Sequence, residues 1–301
     1  MSIYYGEIAA LLTAFCWMLS SLCWTVAGER VGSLVVNIIR LLVALPMLLL
    51  IAALSQTETF PFSASAHTWR WLGLSGFFGF FVCDLFLFRS FLMIGPRLGL
   101  LILSLSPPLT ALIGWLILGE HLTLTNWVGM GLTLTGVVWV IFESPSPAAG
   151  TGRRYVFSMA GGLMAFVGAF AQAVAIVTAK MGMQDGCTAI AATQIRLVTG
   201  LGSFILLILL LRRGSSVFKA FRDRRALGVI ALGAVFGPVV GVTLMMVSVS
   251  LISTGLAQTF LSTSPVMIIP FMWLFYKERM GWQASAGAIV ACAGVALLFV
   301  R

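Results

Sequence analysis

Apolar residues fill this chain in runs of about 20, the length a helix needs to cross a bilayer core. Short polar breaks separate the runs. Ten such runs stand out, at about 4–27, 33–54, 71–93, 98–118, 124–142, 156–179, 187–211, 226–250, 254–275 and 281–300. Most breaks are short, such as Gly28–Gly32, Ile94–Arg97 and Gly119–Thr123, so successive spans are expected to be antiparallel neighbours. Three connections are longer. Ser55–Arg70 is polar and contains Pro61. Ser144–Arg154 holds two prolines and two glycines, the composition of a linker. Arg212–Arg225 is strongly basic, and Val217, Phe218 and Phe221 predict a short surface helix there.

The pattern repeats. A step of 158 residues carries Gly95–Val137 onto Ser253–Val295 without a gap. It pairs Leu98 with Leu256, Ser104 with Ser262, Ser106 with Ser264, Pro107 with Pro265 and Trp115 with Trp273. It also pairs Glu120 with Glu278, Gly129 with Gly287 and Gly136 with Gly294. Outside this block, Gly79 matches Gly237 at the same step, and Ile39-Arg40-Leu41 matches Ile195-Arg196-Leu197 at a step of 156. Ala14-Phe15 matches Ala165-Phe166 at a step of 151. An internal repeat of this kind sets the fold before any local reading does. The expected architecture is an all-α polytopic membrane protein. Residues 1–143 and 155–301 are two five-helix repeats, and 144–154 links them. Two related halves with an odd number of spans each must enter the membrane in opposite directions. That is an inverted repeat, an arrangement that places a substrate site near the midplane between the halves.

Composition removes the soluble alternatives. The 301 residues are 60% hydrophobic and 9% charged, against about 25% charged in soluble domains. The net charge of +9 does not point to nucleic acid, because the basic residues lie between spans, where they meet lipid headgroups. Counted by loop, twelve Lys and Arg fall on one face and three (Arg70, Lys180 and Arg301) on the other, with Arg40, Arg89 and Arg196 inside spans. The rich face is expected to be cytoplasmic and both termini to face out. The N-terminus lacks the basic start of a cleaved signal peptide, so the first span is read as retained. Trp69, Trp71, Trp127 and Trp282 near span ends are expected to be interfacial anchors. The five scattered cysteines form no CxxC pair and read as core packing rather than a disulfide framework or metal site. No cofactor is expected.

The doubled Ser-x-Ser-Pro…Glu…Gly…Gly pattern at 104–136 and 262–294, with Gly95-Pro96 before the fourth span, resembles the EamA-type members of the drug/metabolite transporter superfamily. The resemblance covers nearly the whole chain. It implies a multi-pass secondary transporter of the cytoplasmic (inner) membrane, often an exporter of amino acids, metabolites or drugs, with a central cavity between repeats. It also implies cytoplasmic termini, opposite to the loop count. The partners expected are a small-molecule substrate and the lipid bilayer, and both a monomer and a homodimer fit.

Polar groups inside lipid are costly, so each one needs a reason. Asp84 is the acidic residue well inside a span. Asp84 and Arg40 both lie about 12–15 Å deep from the same side, at a rise of about 1.5 Å per residue, so they can pair. Arg89 competes less well, since five residues is a poor helical spacing. The pair is either a structural tie or a proton or substrate switch. Arg196 has no acidic residue in its own half, because the position equivalent to Asp84 is Val242. Its guanidinium is expected to meet helix carbonyls, Gln172 or Gln194, water, or a substrate carboxylate. Gln172, Gln258, Gln194, Asn37 and Trp17 are further candidates to line a cavity or to tie helices together. Pro107 and Pro265, with Pro108, are expected to interrupt their helices and serve either as a symmetric hinge or as static bends. Glu120 and Glu278 read as turn or anchor contacts.

The inventory disfavours an intramembrane enzyme. His67 and His121 both lie in loops, and there is neither an HExxH motif nor a second buried Asp. A transporter is the leading reading. A lipid-scrambling or structural membrane protein is the alternative.

Overall fold

The computed structural model describes residues 4–55, 58–143, 158–212, 214–264, 266–267 and 282–298. All regular structure among them is helical. The first half contains α1 (Tyr5–Val31), α2 (Ser33–Leu54), α3 (Ala66–Gly76), a π-helical segment Phe77–Cys83, α4 (Asp84–Leu103), α5 (Ser106–Leu118) and α6 (Leu124–Glu143). The second contains α7 (Met159–Gly182), α8 (Ala189–Leu210), the short α9 (Gly214–Ala220) and α10 (Arg224–Ala234). A second π segment, Val235–Gly241, leads to α11 (Val242–Leu251), then α12 (Thr254–Leu261) and α13 (Trp282–Leu298). The linker at 144–154 and Pro265 lie outside the described residues, as does Glu278. Among the described residues, six helical stretches are long and apolar enough to cross a membrane: Tyr5–Gly28, Ser33–Leu54, Ala66–Ser90, Met159–Gly182, Ala189–Leu210 and Arg224–Leu251. The chain is a multi-pass membrane protein.

The duplication extends into local geometry. The π segments occupy equivalent positions, since the step of 158 takes Phe77–Cys83 onto Val235–Gly241. Only the second contains a proline, Pro238, so proline is not what widens both turns. The glycine they share faces the other half each time. A Cβ on Gly79 would lie 3.1 Å from Ala175, and one on Gly237 would lie 3.0 Å from the Trp24 ring. Helical bonding also breaks at equivalent places, at Ser104–Leu105 and Ser262–Thr263.

Two sequence-based expectations need correction. The expected turn at 94–97 does not interrupt the helix, since α4 runs from Asp84 to Leu103 through Gly95-Pro96. Membrane helices tolerate such residues where neighbours serve the freed backbone groups. Pro107 and Pro108 do not interrupt a helix either. They occupy the first turn of α5, where the missing N–H has no helical partner to lose and the fixed φ suits the helix.

Packing is between halves more than within them. α7 runs antiparallel to the α3–α4 stretch: Gly182 abuts Leu72, Gly168 abuts Leu87, and Gly161 abuts Ile94. The buried face of α7 is mostly Ala and Gly, which lets the helices approach closely, as membrane helices without a hydrophobic drive must. Equivalent contacts hold α10 and α11 to α1, where Gly233 abuts Trp24 and Gly6 abuts Ile252. The repeat-equivalent helices α6 and α13 pack on one another in opposite directions. Gly129 abuts Leu298, and a Cβ on Gly136 would lie 2.6 Å from the Gly287 carbonyl oxygen. A Cβ on Gly294 would come 2.8 Å from the Gly129 carbonyl. The repeated glycines thus have a physical cause: no side chain fits where these helices cross.

Polar contacts sort the loops into two faces. Arg30, in the last turn of α1, pairs with Asp223 at 2.9 Å. The Asp223 carboxyl sits below the usual carboxylate range because it caps α10 through the Ala226 N–H and also meets Arg30. At the other face, the Ser65 hydroxyl donates to Asp185 at 2.5 Å and holds that carboxyl low. Lys180 pairs with Glu120 at 2.7 Å on this same face.

Candidate buried charge site

The site is built on the segment that joins the first π turn to α4. π turns are rare and often mark functional positions. Asp84 follows the π segment directly. Arg40, mid-way along α2, reaches across, and its Nη2 donates to Asp84 Oδ2. The Arg40 guanidinium also lies over the rings of Trp24, at 5.3 Å, and Phe88, at 5.9 Å, so aromatic faces share its charge. Both partners are mostly buried, with side chains 8% and 18% exposed. Arg89, the rival partner, is exposed.

One turn earlier the same stretch meets a second arginine. Arg196, in the middle of α8, is 2% exposed. Its Nη1 donates to the Met246 sulfur at 3.3 Å, a weak acceptor. Its guanidinium lies 5.5 Å from the Phe80 ring centroid. Glycine makes the room: a Cβ on Gly79 would fall 2.9 Å from Nη2, and one on Gly76 would fall 2.6 Å from the Arg196 Cα. Its Nε has no hydrogen-bond partner. No described carboxylate is within ion-pair distance of it. Two buried guanidiniums therefore flank one stretch of helix, and one carboxylate serves them. The twin of Asp84 is Val242, buried at 5% exposure.

The EamA-like transporter family matches residues 4–142 and again residues 159–300. The chain belongs to that family. EamA-like proteins are membrane transporters of the drug/metabolite type, not enzymes. A solved crystal structure, described only as that of a protein, has the same fold. It covers 99% of this chain and 97% of its own at a TM-score of 0.72, with 18% identity. No curated protein matches.

The other candidate residues of this EamA-like chain divide in two. Gln258 donates to Ser106 Oγ at 3.1 Å, close to both helix breaks, and its Oε1 has no partner. Asn37 is 2% exposed, with Oδ1 unpartnered. Gln172 is buried on α7. Trp17 packs against Gly241, at the end of the second π segment. Gln194 stands apart, because its amide donates to the Leu48 carbonyl at 3.3 Å and the Thr59 carbonyl at 2.9 Å. It pins α8 to the end of α2 and the following loop. Two apolar grooves, about 410 and 370 Å³, lie along the exposed side of α1 by Ile8 and Leu12, and neither is lined by Arg40, Asp84 or Arg196.

Sequence reasoning missed one polar cluster. The Glu120 carboxylate accepts from Lys180 Nζ at 2.7 Å and from the Thr254 N–H and hydroxyl at 2.8 and 2.7 Å. Lys180 entered only the loop count, and Glu120 lay in a turn. The Glu120–Glu278 match was the one signal available.

Proposed function

We propose that this protein is a secondary transporter that exports a small carboxylate-bearing metabolite, amino-acid-like or drug-like, across the cytoplasmic membrane by alternating access. The observation that carries this reading is Arg196: a guanidinium at 2% exposure that has no described carboxylate within ion-pair distance and shares the field of Asp84 with Arg40. A buried charge without a counter-ion is unfavourable, and inside a membrane it points to function. A substrate carboxylate would supply the missing charge through a bidentate contact. In this reading Asp84 exchanges Arg40 for a proton during the cycle. Gln172, Gln258, Asn37 and Trp17 line the path, with Gln194 bracing it. The antiparallel packing of α6 and α13 supports ten spans in two inverted halves. The matched breaks beside Pro107 and Pro265 supply the hinges.

Purified protein in proteoliposomes, offered a panel of labelled carboxylates and their neutral amide analogues, tests this. Saturable flux is expected for carboxylates and is expected to respond to an imposed pH gradient. Lipid flipping without solute flux would replace the transporter reading with a scramblase.

A further inference from the structure

The chain between α8 and α10, residues 212–225, holds six of the 18 Lys and Arg. Its depth follows from the helices on either side. α8 has 22 residues, about 33 Å at a rise of about 1.5 Å per residue, enough to fill a hydrocarbon core of about 30 Å. Leu209, Leu210 and Leu211 are 67%, 72% and 50% exposed, so acyl chains reach its last turn. Arg212 then turns the chain in the left-handed conformation, with φ 54°, where glycine would be cheaper. α9 follows directly, and α10 starts back into the membrane at Arg224. α9 is thereby confined to the headgroup layer.

α9 has two faces. Val217 and Ala220, three residues apart, point inward. Ala220 is 5% exposed, Val217 packs on the core, and the helix rests on α2. Phe218, on the other side, is 78% exposed. Arg212, Lys219, Arg222, Arg224 and Arg225 are exposed as well, and none of these five meets a described carboxylate. The acid in their midst, Asp223, is committed elsewhere: it pairs with Arg30 at 2.9 Å and accepts from the Ala226 N–H at 3.0 Å.

We propose that α9 and its flanking arginines form a seat for anionic phospholipid, with Phe218 in the acyl boundary and the five cations on headgroup phosphates. The depth favours a lipid over a soluble anion, because only acyl chains cover Phe218. The charge favours anionic over zwitterionic lipid. A phosphatidylcholine headgroup brings its own cation, whereas phosphatidylglycerol brings a net negative charge that each Lys or Arg near the surface attracts. Guanidiniums add paired hydrogen bonds to phosphate oxygens. An apolar ring beside cations on a surface helix is how interfacial elements bind. Arg222 and Arg224 flank the residue that caps α10 and ties it to α1, so bound headgroups brace that joint between the halves. The seat does not depend on the transport reading.

Hydrogen exchange on the full protein in nanodiscs tests it. The amides of Phe221, Arg222 and Asp223 bond back into α9. In discs containing phosphatidylglycerol they are expected to exchange about tenfold more slowly than in discs of phosphatidylcholine alone, as bound lipid suppresses local opening. Lys219→Gln combined with Arg222→Gln and Arg225→Gln is expected to remove that difference, and Phe218→Ser to reduce it by about half or more. Arg70→Gln, on the opposite face, is expected to retain it. Equal wild-type exchange in both discs, or a difference that survives the triple substitution, would overturn the seat. An undiminished difference in Phe218→Ser would overturn the placement of that ring. Inorganic phosphate that slows exchange equally in phosphatidylcholine discs would reveal a free-anion site and overturn the lipid assignment.

Discussion

Asp84→Asn is expected to destabilise the folded protein by about 3–5 kcal/mol, the usual result of removing one partner of a buried ion pair. The reason lies in what remains. Arg40, 8% exposed in its side chain, would keep its full charge among Trp24 and Phe88, and its Nε already lacks a hydrogen-bond partner. Arg196 would sit nearby with no carboxylate either. An asparagine oxygen accepts one hydrogen bond but supplies no charge. Removing both charges, as Asp84→Asn with Arg40→Met, is expected to recover most of the loss, because the second substitution withdraws the orphaned cation. Unfolding midpoints in detergent for the two single variants and the double variant measure the coupling. A midpoint for Asp84→Asn equal to that of the wild type would show that the pair carries no such energy. In proteoliposomes the same substitution is expected to abolish proton-driven accumulation, whereas unchanged accumulation would exclude Asp84 as the carrier.

Arg196→Met is expected to move stability and transport in opposite directions. The arginine is a buried cation whose one described side-chain hydrogen bond goes to the Met246 sulfur, and Arg40 remains to pair with Asp84, so an apolar side chain of similar length is expected to raise the unfolding midpoint. The same change is expected to lower carboxylate flux about a hundredfold, consistent with the loss of charge-assisted hydrogen bonds of about 1.5–3 kcal/mol each. Flux of a neutral analogue should fall far less. A structural arginine gives the reverse pattern: lower stability, and equal loss for both solutes. Flux and melting temperature measured on one preparation separate the two.

Much of this fold was legible because membrane helices announce themselves by length and because the chain repeats itself. Arg40 and Asp84 could be matched by depth alone, since rise per residue converts sequence position into distance along a span. The π segments could not be foreseen. Phe77–Cys83 and Val235–Gly241 share few residues, and their geometry comes from packing against the other half at Gly79 and Gly237. Pro107 misled for a related reason: a proline signals a break but not whether it lies inside a helix or at its start. The repeated glycines were visible as a pattern, yet only the α6–α13 crossing explains them. The Glu120–Lys180–Thr254 cluster joins residues 60 and 134 positions apart in sequence, beyond the reach of spacing arguments. Gln194 read as a candidate for the path because length and polarity do not reveal which carbonyls lie within reach.

The account rests on two halves that cross the membrane in opposite senses, and twin positions test this most directly. The step of 158 takes Ser63, exposed in the loop before α3, to Phe221, exposed after α9. Single cysteines at these positions, with the five native cysteines replaced by alanine, can be treated with a membrane-impermeant maleimide in sealed vesicles of known orientation. Labelling of the two from opposite sides is the predicted result, and labelling of both from the same side would contradict the inverted repeat and the transport path built on it.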